Sequence, residues 1–198
     1  AAELDASTVL WPKLAQVLAK YPDIKVEVSI DYGLTDIAAE RFDAGVRLGD
    51  QVAKDMIAVR IAPDLRMAVV ASPGYLARKG QPGDVPALAG HDCLNLRLPT
   101  YGGLMAWEFS KDGHEVKARV EGQLTFNSSP HILRAALDGF GLAYLPEDMV
   151  VEHVAAGRLE KVLEDWCPTF PGYHLYYPSR RQKSRAFSVL VDALRHQP

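Results

Sequence analysis

The chain is poor in the features that would assign it a chemistry. Only two of its 198 residues are cysteine, Cys93 and Cys167, far apart and in no metal-ligand spacing. That pattern reads as a pair of reduced core thiols rather than a disulfide framework or a zinc site. His91-Asp92-Cys93 places only two ligand types side by side, which is neither a metal site nor an activated nucleophile. No apolar run reaches the roughly 18–20 residues that a bilayer-spanning helix requires. No secretory signal is present, and the start at Ala1-Ala2-Glu3 without Met suggests a mature fragment or a cut chain. A net charge of -3 supplies no overall basic field for nucleic acid. There is no G-x-S-x-G, no phosphate loop of the G-x-x-x-x-G-K type and no metal cluster, and Gly139-Phe140-Gly141 follows a helix pattern instead of opening one. Enzyme chemistry and a bound cofactor or metal are therefore not expected.

What is present is an ordinary globular composition, 48% hydrophobic and 24% charged, in a chain long enough for one large domain or two small ones. Leu10, Leu14, Val17, Leu18 and Tyr21 recur at helical spacing, with Pro12 in the first turns, where its missing N–H costs least. Ile24–Ile30 alternates as a strand, a helix is predicted over 34–41, and a strand over 43–48 buries Ala44, Val46 and Leu48 on one face. Met56–Ile61 and Arg66–Ala71 read as strands. Ser72-Pro73 opens a helix that Gly80 closes. Further on, a strand is predicted at Cys93–Leu98, and antiparallel strands at Trp107–Ser110, Glu115–Val120 and Gly122–Phe126, the first two joined by a turn at Lys111-Asp112-Gly113. Ser129-Pro130 repeats the Ser-cap, Pro-first signal for a helix to Asp138. Leu142–Leu145 is a buried strand, 147–155 a helix, Tyr173–Tyr177 a strand and Ser184–His196 a final amphipathic helix. The plan is strand–helix–strand, twice, with the last helix returning to the first half. It implies an α/β fold of two subdomains: 1–71 with 178–198, and 72–177, joined by two crossover segments. Ligands in such a pair are expected between the lobes, at the C-terminal ends of strands.

The order of short motifs carries a resemblance. Tyr21-Pro22, Phe42-Asp-Ala-Gly-Val-Arg-Leu-Gly49, Ala71-Ser-Pro-Gly-Tyr-Leu76 and His91-Asp-Cys-Leu94 are followed by Trp107-Glu-Phe109 with Asp112-Gly113. Ala135-Ala136, Gly139 through Pro146, Gly157-Arg-Leu159, Val162–Trp166 and Tyr177-Pro-Ser-Arg180 complete the series over essentially the whole chain. The sequence resembles the effector-binding (regulatory) domain of LysR-type transcriptional regulators. The resemblance implies a type II periplasmic-binding-protein-like fold, a small-molecule effector, a homodimer or tetramer, and a bacterial cytoplasmic protein with no membrane association. It also implies contact with DNA only through an N-terminal winged helix-turn-helix that this chain lacks, and contact with RNA polymerase in the full-length protein. The family's first strand would lie before or around Ala1–Asp5. The family's domains pair antiparallel, about 10–30 of one copy against the helix near 131–138 of the other, and the surface of Trp11, Val17 and Ile30 suits either that role or the core. A transporter's solute-binding protein, with the same fold, is the alternative.

Candidate effector contacts follow from side-chain chemistry and from the family's pattern. Ser7 and Thr8 precede the first helix, and Asn127, Ser128 and Ser129 precede a second; helix N-termini favour anions. Ser7 is equally suited to capping its own helix. In the family, positions matching Ser7, Thr8, Asn127 and Ser128 line the cleft. Arg47 can pair bidentately with a carboxylate, or form a salt bridge with Asp43 or Glu40. Leu98, Pro99 and Thr100 are expected at the cleft mouth, as is Tyr144 unless it is a core aromatic. The basic run Arg180-Arg181-Gln182-Lys183 reads as solvated surface rather than a DNA contact.

Overall fold

A computed structural model describes residues 5–31, 36–37, 39–49, 55–98, 102–179 and 184–197. The chain folds as two units, Ala1–Leu65 with Phe170–Pro198, and Arg66–Thr169. The first unit opens with a π-helical turn, Asp5–Leu10, that runs directly into helix α1, Trp11–Lys20. Pro12 sits in the first turn of α1, and the apolar stripe delivers Leu14 and Val17 to the interior. Strands β1 (Gly45–Leu48) and β2 (Met56–Arg60) follow.

The second unit begins within β3, Leu65–Ala71, and continues through helix α2, Pro73–Lys79, whose N-cap Ser72 accepts the Tyr75 N–H at 3.2 Å. A 3₁₀ turn, Pro86–Gly90, leads to β4 (Asn95–Leu96), the hairpin β5 (Trp107–Lys111) and β6 (His114–Ala118), and β7 (Thr125–Phe126). Helix α3 (Ser129–Leu137), β8 (Ala143–Pro146), α4 (Glu147–Ala155), β9 (Glu160–Val162) and β10 (Thr169–Phe170) complete it. The chain then returns to the first unit as β11, Tyr173–Pro178, and α5, Arg185–Leu194, capped by Ser184.

In the first unit β11 lies between β1 and β2, antiparallel to both. One face of this sheet, with Val46, Val59, Leu175 and Tyr177, packs on Leu10 and Leu14 of the helical N-terminal segment and on Phe187, Val191 and Leu194 of α5. Lys13 ties these layers together, its Nζ donating to the Ile61 and Leu194 carbonyls at 2.6 and 2.8 Å. In the second unit β3 carries β8 and β9, both antiparallel, with β10 in the same sheet. Its core gathers Ala68, Val70, Leu94, Ile132, Ala136, Leu145, Val150 and Leu159.

Three expectations are corrected. Among the described residues Ile24–Ile30 joins no strand, and Val26, Val28 and Ile30 stay 37%, 43% and 54% exposed. Alternation alone does not make a strand: the backbone needs a ladder partner, and both this segment and β1 instead line a cavity of about 1160 Å³. The predicted helix over 34–41 forms turns at its described residues, closed by the Asp36 carboxylate accepting the Ala39 N–H at 3.1 Å; residues 34, 35 and 38 lie outside the described ones. The strand predicted at 122–126 is not antiparallel to its neighbours; β7 pairs in parallel with β4.

Within the second unit the Tyr75 hydroxyl accepts the Asp92 N–H at 2.9 Å and lies 3.1 Å from His91 Nδ1. The two groups share a hydrogen bond whose donor is set by the His91 tautomer. Burial first, and then Lys79, lower the His91 pKa from its ordinary 6.5, against the opposing charge of Asp92. A base with a lowered folded-state pKa stabilises the fold above its unfolded value and loses that stability as pH falls. The thermal midpoint should therefore drop between about pH 7 and pH 5, and His91→Gln should flatten that slope in a pH series of melts. An unchanged slope would remove His91 from the account.

Candidate functional site

The candidate residues fall into two structural groups, one in each unit. In the second unit the parallel pair β4–β7 sets Asn95 opposite Thr125 and Leu96 opposite Phe126, and the Arg97 N–H continues the ladder to the Phe126 carbonyl at 2.7 Å. Both strands therefore end on the same side, and their next residues are Arg97, with Leu98 after it, and Asn127. The carboxyl ends of parallel strands are where open α/β folds present ligand-binding residues. Asn127 is exposed, and Ser128 and Ser129 are half-buried at the start of α3. The helix cap is Ser128 rather than the expected Ser129: Ser128 holds extended backbone with φ −146°, while Ser129 is already helical. The Ser128 hydroxyl is not spent on the helix backbone; it shares a hydrogen bond with His131 Nδ1 at 3.0 Å, and the His131 ring stacks on Phe126.

Leu98 is half-buried against the second unit's core, and its backbone closes a loop through Leu98 N–H to the Gly103 carbonyl at 2.9 Å and Gly102 N–H to the Leu98 carbonyl at 3.0 Å. Pro99 and Thr100 lie outside the described residues, as do Arg180, Arg181, Gln182 and Lys183.

Tyr144 belongs to the core alternative. It is 5% exposed, its ring stacks on Trp107 at 5.4 Å and tilts against Phe109 at 5.7 Å, and its hydroxyl donates to the Glu108 carbonyl at 2.7 Å. Burial pushes its pKa up. Tyr144→Phe keeps the ring and strips the Glu108 carbonyl of its donor, which should cost about 1–2 kcal/mol. Ligand affinity should stay within about twofold, since a 1.4 kcal/mol change would be tenfold; a larger loss of affinity would return Tyr144 to the binding surface.

In the first unit Ser7 and Thr8 are exposed and sit inside the π-helical turn rather than at the cap of α1, whose N-cap is Leu10. Arg47 lies one residue before the end of β1, opposite His174 of β11. Its guanidinium stands over the Tyr176 ring, 5.0 Å from the centroid. Arg47 also lines the 1160 Å³ cavity, together with Lys25, Arg41, Asp43, Gly45 and Tyr176. From the helical segment the cavity takes Leu10 and Leu14 in place of Ser7 or Thr8.

Tyr176 was not among the residues singled out from sequence. The available signal was Gly45, an isolated glycine inside a strand pattern, which marks a close approach of another group. Both cysteines are buried free thiols, and burial, reinforced by Asp92, pushes Cys93 up to about 12, so it is no nucleophile at neutral pH. Among the described residues no cluster of His, Cys, Asp and Glu could hold a metal, and no helix is long and apolar enough to cross a membrane.

Comparison with known proteins supplies the family. The model of the LysR substrate binding domain matches residues 2–198. A candidate transcriptional regulator of Pseudomonas aeruginosa is 57% identical over 189 residues, covering 96% of this chain and 62% of its own length. The HTH-type transcriptional regulator PgrR of Escherichia coli is 48% identical over 192 residues, covering 97% and 64%. The chain thus spans less than two thirds of these relatives. The regulatory domain of CrgA, a LysR-type transcriptional regulator from Neisseria meningitidis, superposes with a TM-score of 0.81 at 27% identity, covering 98% of this chain and 93% of that one. The fold is accordingly the periplasmic-binding-protein-like α/β fold of these regulatory domains, and the family is one of transcription regulators rather than enzymes. This chain belongs to the LysR substrate-binding domain family: it is the effector-binding domain of a LysR-type transcriptional regulator.

Proposed function

We propose that the effector is a small anionic metabolite; the candidate contacts in the first unit are Ser7, Thr8 and Arg47, and those in the second unit are Leu98, Pro99, Thr100, Asn127, Ser128 and Ser129. The observation that supports this reading best is the coincidence, in the second unit, of the parallel β4–β7 ends with the N-terminus of α3. The positive end of the α3 helix dipole favours a carboxylate there, by about 0.3–1 kcal/mol before direct hydrogen bonds. Arg47 supplies a fork of donors that suits a carboxylate. Thermal-shift measurements against a panel of small organic acids and matched neutral amides test the charge: acids should raise the midpoint and the amides should not. An amide raising it as much as its acid would contradict the anionic assignment.

The same reading places the domain in the cytoplasm as the sensing part of a DNA-bound homodimer or tetramer, with DNA contacts made by a segment of the longer protein and RNA polymerase as a further partner. Trp11 and Tyr21, 61% and 46% exposed at the two ends of α1, with Val26, Val28 and Ile30 beyond, offer an apolar surface for self-association. A solute-binding role is disfavoured by relatives that are named transcriptional regulators.

A further inference from the structure

Gly45 and Tyr176 face each other across the β1–β11 ladder. A Cβ on Gly45 would stand 2.2 Å from Tyr176 Cζ and Oη and 2.5 Å from Cε1, so the phenol occupies the space that any larger residue would fill. The ring, 7% exposed, thus covers Gly45 on the sheet face that it shares with the side chain two residues on. That side chain is Arg47, whose guanidinium stands over the ring. Pairing an aromatic with a cross-strand glycine is a known way to fix register and cover bare backbone. Here the covering ring also reaches an ionic group that lines a cavity.

We propose that Tyr176 is a positioning residue for Arg47: seated on Gly45, its ring fixes the guanidinium so that its N–H edge meets a carboxylate of the ligand. This rests on the reading of Arg47 as an effector contact. An unstacked arginine must surrender rotamer freedom when it binds, whereas a guanidinium already held on an aromatic face surrenders less. The Gly45–Tyr176 pair acts before the ligand arrives, and it selects for a planar anion that can meet the fork edge-on rather than for a cation or an apolar group.

The decisive probe is the Arg47 Nε–Hε resonance, observed by nitrogen–proton NMR, with acetate titrated as the carboxylate. In the wild-type protein Hε should be shifted upfield by the ring. Tyr176→Phe should keep that shift and hold the acetate Kd within about twofold, while Tyr176→Leu should lose the shift and raise the Kd about fivefold, as expected from a lost cation–π contact. A wild-type Hε at its random-coil position overturns the proposal without any variant, and so does a Tyr176→Leu protein with unchanged shift and affinity. Arg47→Ala separates the two readings. If it binds acetate as tightly as wild type, the effector assignment of Arg47 fails, while the Hε shift still decides whether Tyr176 positions it.

Discussion

Gly172→Ala should cost about 3 kcal/mol or more, an overpacking penalty at the upper end of the usual range. A Cβ at this position would stand 1.7 Å from the Pro63 carbonyl oxygen, 2.8 Å from its carbon and 2.9 Å from the Ala62 oxygen. All three are backbone atoms, so no side chain can swing aside. Gly172 immediately precedes β11, the central strand of the first unit, and its carbonyl accepts the Gly49 N–H at 3.1 Å and lies 2.9 Å from His174 Nδ1. Relief of the clash must move the start of β11 away from β2 and β1 together. Thermal denaturation should show a midpoint lowered by about 6–12 °C for a chain of this size. Because β11 carries Tyr176 and His174, the same variant should weaken ligand binding even where it remains folded. A midpoint within about 2 °C of wild type, under 1 kcal/mol on that scale, would mean that the Ala62-Pro63 turn is free to move.

Arg47→Ala should reduce effector affinity at least about tenfold, since a charge-assisted hydrogen bond contributes roughly 1.5–3 kcal/mol. In the full-length protein the dose of effector needed for the transcriptional response should rise by the same factor. Arg47→Lys should recover only part of the loss, because an ammonium lacks the planar fork and rests less well on the Tyr176 face. An effect below about twofold, measured by calorimetry on the folded variant, would confine Arg47 to a structural role on the sheet.

Much of the fold was legible because local signals and burial agreed. Ser72-Pro73 behaves as read, with Ser72 capping α2 through its hydroxyl, and Ser184, read as the start of the last helix, caps α5 in the same way. The hairpin at Asp112-Gly113 forms where the turn residues placed it, with φ of 51° and 78° at the two positions. Where the reading failed, the deciding contact was distant in sequence. Ile24–Ile30 has the pattern of a strand, but among the described residues it has no ladder partner. The partner of β7 is β4, some thirty residues earlier, so its direction could not be read from Thr125-Phe126 alone. At the candidate site the residue types were legible and their neighbours were not. Tyr144 could be read as core or cleft from its strand, and only the stack on Trp107 and the Glu108 carbonyl decide for the core. Arg47 could be read against Asp43 or ligand, and the structure adds Tyr176, a partner 129 residues further along the chain, as the register of β1 on β11 requires.

The central claim is that this regulatory domain recognises a small anion, with Arg47 as the candidate contact in the first unit and the α3 N-terminus as the candidate contact in the second. Backbone NMR of the 198-residue chain during titration with a short carboxylate panel tests it most directly. The account predicts that, for at least one acid, the amides of Arg47 in the first unit and of Asn127, Ser128 and Ser129 in the second shift saturably, while the matched amide compound leaves them in place. Saturation at other residues with these four unmoved, or equal response to acid and amide, would contradict it.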